Sequence, residues 1–325
     1  MHVHDDELHT QNPRISRSLQ PDRAFRVEVT RESTRVEAWL RALRLHQWSK
    51  NLLILVPTLA AHRFMEMDLM AAAVLGFVAF SMCASAVYVV NDLVDVSADR
   101  RHPQKRMRPF ARGALSSKEG AFAAAVFAAI GLLLAGALLP AAFVAVLVVY
   151  LGLTTAYSLY LKGILLVDVL VLAGLYSLRL FAGSVVTGIE LSPWLLAFSS
   201  FLFFSLALMK RYAEVILVES IGIEPNFGRA YVSSDKDLLR ALGTSAGISA
   251  VLVLALYVNS ELVVQLYSRP QWLWLVCPPL LYWIGRMWLK AHRGEMHDDP
   301  IVFTIKDGAS WAVGVVIALI FTLAL

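Results

Sequence analysis

Apolar runs long enough to cross a bilayer alternate along this chain with short charged stretches. A spanning helix needs about 20 mainly apolar residues. On that rule the pattern predicts nine spans, at 47–64, 69–91, 119–138, 140–157, 164–187, 193–210, 241–260, 270–289 and 308–325. The first is short and broken by Pro57. Ten-residue segments of alternating polarity, the mark of a membrane barrel, are absent. The expected fold class is therefore all-α, a polytopic membrane bundle. Residues 1–38 are polar, with scattered charges and Pro13 and Pro21, and read as a flexible tail without a signal-peptide core. Residues 39–325 read as one transmembrane domain.

Charge gives the orientation. Of 29 Lys and Arg, 26 fall on one side of this topology, against Arg63 and Arg269 on the other and Arg179 inside a span. The positive-inside rule then places the N-terminus in the cytoplasm and the C-terminus outside, as an odd number of spans requires. The expected location is the cytoplasmic (inner) membrane. Composition agrees: 58% of the 325 residues are hydrophobic and the mean hydropathy is +0.62. The net charge of +4 suits an anionic inner leaflet and needs no nucleic acid. Cys83 and Cys277 both lie in expected spans, which argues against a disulfide framework or a metal-ligand pair.

Candidate chemistry gathers at the cytoplasmic ends. "NDLVDVSADRRHPQKRMRP" starts at Asn91 as the second span ends. Asp92, Asp95 and Asp99 are spaced i, i+3 and i+7, which puts them on one helical face with Asn91 at its edge. Oxygen-only ligands suit Mg2+, which is commonly held by a few carboxylates plus substrate phosphates. The cations that follow (Arg100, Arg101, Lys105, Arg106, Arg108 and Arg112) can clamp phosphate oxygens. The plain alternative is a solvated acidic helix end followed by a positive-inside loop.

Tyr157, Lys162 and Asp168 flank the fifth span, which also carries Arg179. Lys162 and Tyr157 have ordinary explanations as interfacial anchors. Asp168 and Arg179 do not, since an ionised group in a span costs roughly 2.5–3.5 kcal/mol on insertion scales. Eleven residues apart, the two can share a helix face, so a buried pair or a polar cavity is expected. Lys210, Arg211, Tyr212 and Glu214 close the sixth span, and "LRLHQWSKN", which carries Lys50, enters the first. Each is either an anchor or a phosphate ligand. "HDDPIVFTIKD", from His297 to Asp307, is either a loop turn or a substrate contact. Zinc-protease, P-loop and serine-hydrolase signatures are missing.

The run Asn91-Asp92-x-x-Asp95-x-x-x-Asp99 at the end of the second span resembles the UbiA superfamily of intramembrane prenyltransferases. The resemblance covers roughly residues 40–325. A second aspartate pair, typical of prenyltransferases, is missing, because Leu172 stands four residues after Asp168. "HQWSKN", the aspartate run, "YSLYLK", "LRLFAGSVVTGI", "KRYAE" and "DDPIVFTIKD" are instead similar to the decaprenyl-phosphate phosphoribosyltransferase branch.

That resemblance implies a cytoplasm-facing site moving a phosphoribosyl group from phosphoribosyl diphosphate to a polyprenyl phosphate. It implies Mg2+ on Asp92 and Asp95, supported by Asn91 and Asp99. It also implies phosphate contacts from Lys50, Lys105, Arg106, Arg108, Lys162 and Lys210, and contacts from Tyr157 and Asp168 to the ribose or its 5′-phosphate. Asp92, Asp95 and Asp168 are the expected catalytic carboxylates, and Arg211 and Tyr212 are further candidate substrate ligands. Two other readings stay open. One is an ordinary prenyltransferase taking a prenyl diphosphate. The other is a transporter, for which polarity confined to one interface is a poor match.

Overall fold

The computed structural model describes residues 34–101, 105–221, 231–296 and 299–325. Nearly all of the expected tail, together with His297 and Asp298, lies outside them. Helix α1 (Arg35–Leu43) already begins within the stretch expected to be tail. Thr34 caps it, its hydroxyl accepting from the Glu37 amide, and Arg44 ends it in a left-handed conformation. Ala38 and Ala42 bury its inner face.

The expected first span is not a continuous helix. Residues Leu45–Leu55 wind as a 3-10 helix and α2 (Val56–Ala60) follows, with Pro57 in its first turn. Proline lacks the amide that would continue a helical ladder from the preceding turn. Six long apolar stretches do match expected spans. They are carried by α3 (Met67–Val94), then, after the short α4 (Val96–Arg101), by α5 (Ser117–Leu138), α6 (Ala141–Leu159), α7 (Val167–Thr187), α8 (Pro193–Ile221) and α9 (Lys236–Val258). Helix α10 (Glu261–Leu266) is a short connector.

The expected eighth span is also broken. A 3-10 stretch, Pro270–Val276, precedes α11 (Cys277–His292), and Pro278 and Pro279 interrupt the amide series at the join. The expected last span, 308–325, is α13 (Gly308–Ala324), and the short α12 (Pro300–Lys306) precedes it at a bend of 83°. Among the described residues, six helices, or seven if that bent pair is one span, are long and apolar enough to cross a membrane, which does not confirm the expected count of nine.

Packing runs α3 along α5, α8 along α9 and α7 against α8. One core gathers Leu180, Leu208, Met209, Leu239, Met287 and Trp288 from α7, α8, α9 and α11. A second gathers Phe80, Cys83, Phe143, Leu147 and Tyr150 from α3 and α6, together with Ala182 of α7. The 3-10 segment is pressed into the bundle at Gly183 of α7, where an added Cβ would lie 2.2 Å from the Ile54 carbonyl oxygen. Only glycine allows that approach. It sets the depth of Lys50 and Asn51, both buried one turn earlier.

Candidate active site

Helix α3 stops at Val94, and Asp95 (φ −88°, ψ 2°) breaks it before α4 begins. Backbone bonds still bridge the break, Asp95 N to Asn91 O at 3.0 Å and Asp99 N to Asp95 O at 2.8 Å. The break parts the three aspartates, correcting the single helical face expected from their spacing. Asp92 and Asp99 are buried and converge on Arg108, whose Nη1 donates to them at 3.1 and 2.8 Å. Asp95, 38% exposed at its side chain, turns to Lys162 at 3.3 Å. Arg44, held by its left-handed backbone at the end of α1, also donates to Asp92. Asn91 is half-buried beside them, Lys105 is partly buried and Arg106 is exposed. Burial, with the Arg108 charge, pulls the Lys105 ammonium below its ordinary value.

The donor set fits magnesium. It consists of carboxylate oxygens and an amide, with no thiol or imidazole. Among the described residues no three His, Cys, Asp or Glu side chains form a ready cage for an ion. Mg2+ is commonly held by a few carboxylate oxygens together with substrate phosphates. Asp92, Asp95, Asn91 and Asp99 are the residues that could hold such an ion.

Asp168 is fully buried at the start of α7, and both its oxygens are engaged. Oδ2 accepts from Arg211 Nε at 2.5 Å, and Oδ1 from the Tyr231 hydroxyl at 2.6 Å. Arg211 also donates to the Tyr157 hydroxyl at 2.6 Å and to Glu214 at 2.7 Å. Asp168, Arg211 and Tyr157 therefore form one internally satisfied network. Asp168 is therefore not paired with Arg179, the buried pair that their spacing suggested. Arg179 is instead held by the Asn51 amide oxygen at 2.8 Å and the Leu175 carbonyl. Tyr212 also departs from expectation. It is a core residue whose hydroxyl bonds His292 Nδ1 at 2.8 Å, and its ring lies against Trp288.

Sequence reasoning left Arg44 and Asp299 off the site. Asp299 Oδ2 meets Lys50 Nζ at 2.9 Å and Lys210 Nζ at 3.2 Å. Burial alone raises its carboxyl, but Lys210 and Lys50 outweigh that and hold it well below the usual carboxylate range. Both residues stand in stretches already notable for polarity at a span end. Only the fold shows what they touch.

Residues 53–312 match the UbiA prenyltransferase family. The chain belongs to that family. A UbiA homologue from Archaeoglobus fulgidus, in a structure bound to GPP and Mg2+, superposes with a TM-score of 0.65. At 18% identity it covers 88% of this chain and 97% of its own, which establishes a shared fold. A decaprenyl-phosphate phosphoribosyltransferase of Mycobacterium tuberculosis is 36% identical over 222 residues, 67% of this UbiA-family chain and 72% of that one. The nodulation protein NoeC of Azorhizobium caulinodans is 36% identical over 294 residues, 87% of this chain and 92% of its own. Protein y4nM of Sinorhizobium fredii, described as uncharacterized, is 40% identical over 291 residues. This chain spans 56% of its length.

Proposed function

We propose that the chain is a magnesium-dependent membrane transferase. It moves a 5-phosphoribosyl group from phosphoribosyl diphosphate to a polyprenyl phosphate and releases diphosphate. The observation that carries this choice of donor is the engagement of Asp168. A prenyltransferase of the two-aspartate-site kind needs a second pair of carboxylates, and here Leu172 stands four residues after Asp168, which is itself held by Arg211 and Tyr231. Similarity to the mycobacterial phosphoribosyltransferase supports the same donor.

Asp92 and Asp95, with Asn91 and Asp99, would hold the metal against the donor's diphosphate. When bound, the ion offsets the negative charge that grows on the departing diphosphate. Arg44, Arg108, Lys105 and Lys162 surround those carboxylates and bind phosphate oxygens, Arg44 and Arg108 in charge-assisted contacts. An oxygen of the lipid phosphate attacks the anomeric carbon, the bond to the diphosphate oxygen breaks, and its electron pair leaves with the diphosphate. The lipid phosphate arrives ionised, so no side chain need remove a proton. Asp168 acts at one remove, fixing Arg211 and through it the Tyr157 hydroxyl. The basic loops, and with them the acidic cluster and the N-terminus, face the cytoplasm in this reading, where a soluble sugar diphosphate arrives.

A second reading, transfer from a prenyl diphosphate to a small acceptor, is favoured by the fold shared with the GPP-bound homologue. Purified protein in detergent with magnesium separates them. Radiolabelled phosphoribosyl diphosphate with polyprenyl phosphate is set against a labelled prenyl diphosphate with 4-hydroxybenzoate. Label entering the lipid phosphate only from the first donor supports the proposal, and label entering only the aromatic acceptor replaces it.

A further inference from the structure

A second polar group lies apart from the acidic cluster, where the 3-10 segment, α7, α8 and the start of α12 meet. One oxygen of Asp299 serves both Lys50 and Lys210, and the Tyr176 hydroxyl lies 3.3 and 3.4 Å from its two oxygens. The Tyr176 ring joins this group to Arg179, with Lys50 Nζ at 5.8 Å and the Arg179 guanidinium at 5.6 Å from its centroid. Arg179 has no carboxylate among its described partners, which are the Asn51 amide, the Leu175 carbonyl and the rings of Phe80, Tyr150 and Tyr176.

Among the described residues, then, two lysines share one carboxylate, and Arg179, on the other side of the Tyr176 ring, has none. Two of the three charges are off the surface, the side chain of Lys50 10% exposed and Arg179 5% exposed, while that of Lys210 is 31% exposed. Buried charge is costly unless an opposite charge compensates it. The surplus here is positive, so the compensating ligand is an anion. Each ammonium has three donors and gives one to Asp299, which orients the pair. Beside this group lies a small, partly open recess bounded by Leu172, Leu206, Ala207, Pro300 and Ile301, with Tyr176, Lys210 and Asp299 at its polar part. A cationic end and apolar walls are complementary to an amphiphile.

We propose that this cluster seats the phosphate monoester of the lipid substrate, with the tail's first apolar units at the recess. Lys50 and Lys210 take the phosphate oxygens, Arg179 adds charge from below, and Asp299 is a positioning residue for the two lysines. The assignment rests on the proposed function for its acceptor. It gives donor and acceptor phosphates separate seats, metal-bridged carboxylates for one and a lysine pair for the other. A soluble sugar phosphate has the same anionic chemistry but no use for the apolar walls.

The test is equilibrium binding to full-length protein in maltoside micelles, with EDTA and without donor, using farnesyl phosphate, farnesol and ribose 5-phosphate. Wild type should bind farnesyl phosphate saturably and at least about tenfold more tightly than either of the others, the scale of one lost charge-assisted contact. Lys210→Gln, at a partly exposed position, should weaken farnesyl phosphate about tenfold or more while Lys210→Arg restores most of it. Lys50→Gln serves as the second variant should Lys210→Gln fail to fold. Equal binding of farnesol, displacement by equimolar ribose 5-phosphate, or undiminished binding in folded lysine variants would each overturn the proposal. No donor, metal or turnover enters the measurement, so a wrong choice of donor would leave its outcome unchanged.

Discussion

Replacing Asp168 by Asn keeps the side chain's shape and removes its charge, leaving Arg211 buried without its closest counter-ion. Removing one partner of a buried pair costs about 3–5 kcal/mol. Glu214 still holds Arg211 Nη1 at 2.7 Å, and its side chain is 35% exposed, so the loss should fall near the lower end, about 3 kcal/mol. On the scale for domains of 150–250 residues that lowers Tm by about 6–12 °C. Arg211→Met strands the carboxylate with Tyr231 and should cost a similar amount. The double variant removes both charges and should cost clearly less than the sum of the two singles. Thermal unfolding in detergent can be followed with a thiol-reactive dye, because Cys83 is buried and reacts on unfolding. Asp168→Asn melting like wild type while losing discrimination against a donor without ribose hydroxyls would refute the structural role. Asp168 would then belong on the sugar.

The buried Asp92 and the half-exposed Asp95 should behave differently. Asp95→Asn, at the half-exposed break, should lose most turnover with Tm unchanged, whereas Asp92→Asn frees Arg44 and Arg108 and should lower both; a stable Asp95→Asn enzyme with full magnesium-dependent activity contradicts the metal assignment. Gly183→Ala puts a methyl 2.2 Å from the Ile54 carbonyl; it should displace the segment carrying Lys50 and Asn51 and cut activity more than Gly136→Ala, where the added Cβ meets nothing within 4 Å. Asp299 carries a depressed carboxyl against Lys50, Lys210 and Tyr176. Its contribution to stability is therefore complete above its unfolded pKa of about 3.9 and is lost as pH falls through the lower folded value. Melting temperature against pH should drop less steeply below about pH 4 in Asp299→Asn than in wild type, and parallel curves would show that another group governs acid unfolding.

Long apolar runs were legible because a single helix must carry its own spanning length, and α3 and α5 through α9 stand where the pattern put them. The breaks in the first and eighth expected spans were not legible, because hydropathy does not register the missing amides of Pro57, Pro278 and Pro279. The aspartate run was legible from its spacing, but Asp95 ends the helix and turns its own side chain to Lys162. Asp168 and Arg179 do share a helix face. Eleven residues rise about 16 Å along the axis, which is too far for an ion pair, so each finds partners on other elements. Those partners lie far along the chain, Arg211 43 residues from Asp168 and Asn51 128 from Arg179. No local pattern encodes that. The meeting of Asp299 with Lys50 and Lys210 was out of reach for the same reason.

Transfer of a phosphoribosyl group to a lipid phosphate, the activity proposed for this UbiA-family bundle, changes the mass of the lipid. Mass spectrometry of the lipid after incubation of purified protein with magnesium, phosphoribosyl diphosphate and a polyprenyl phosphate tests it most directly. The account predicts a lipid heavier by one ribosyl phosphate unit, with one diphosphate released per lipid converted, and neither product when EDTA is added or in Asp95→Asn. An unchanged polyprenyl phosphate, from protein that does prenylate an acceptor with a prenyl diphosphate, would contradict it.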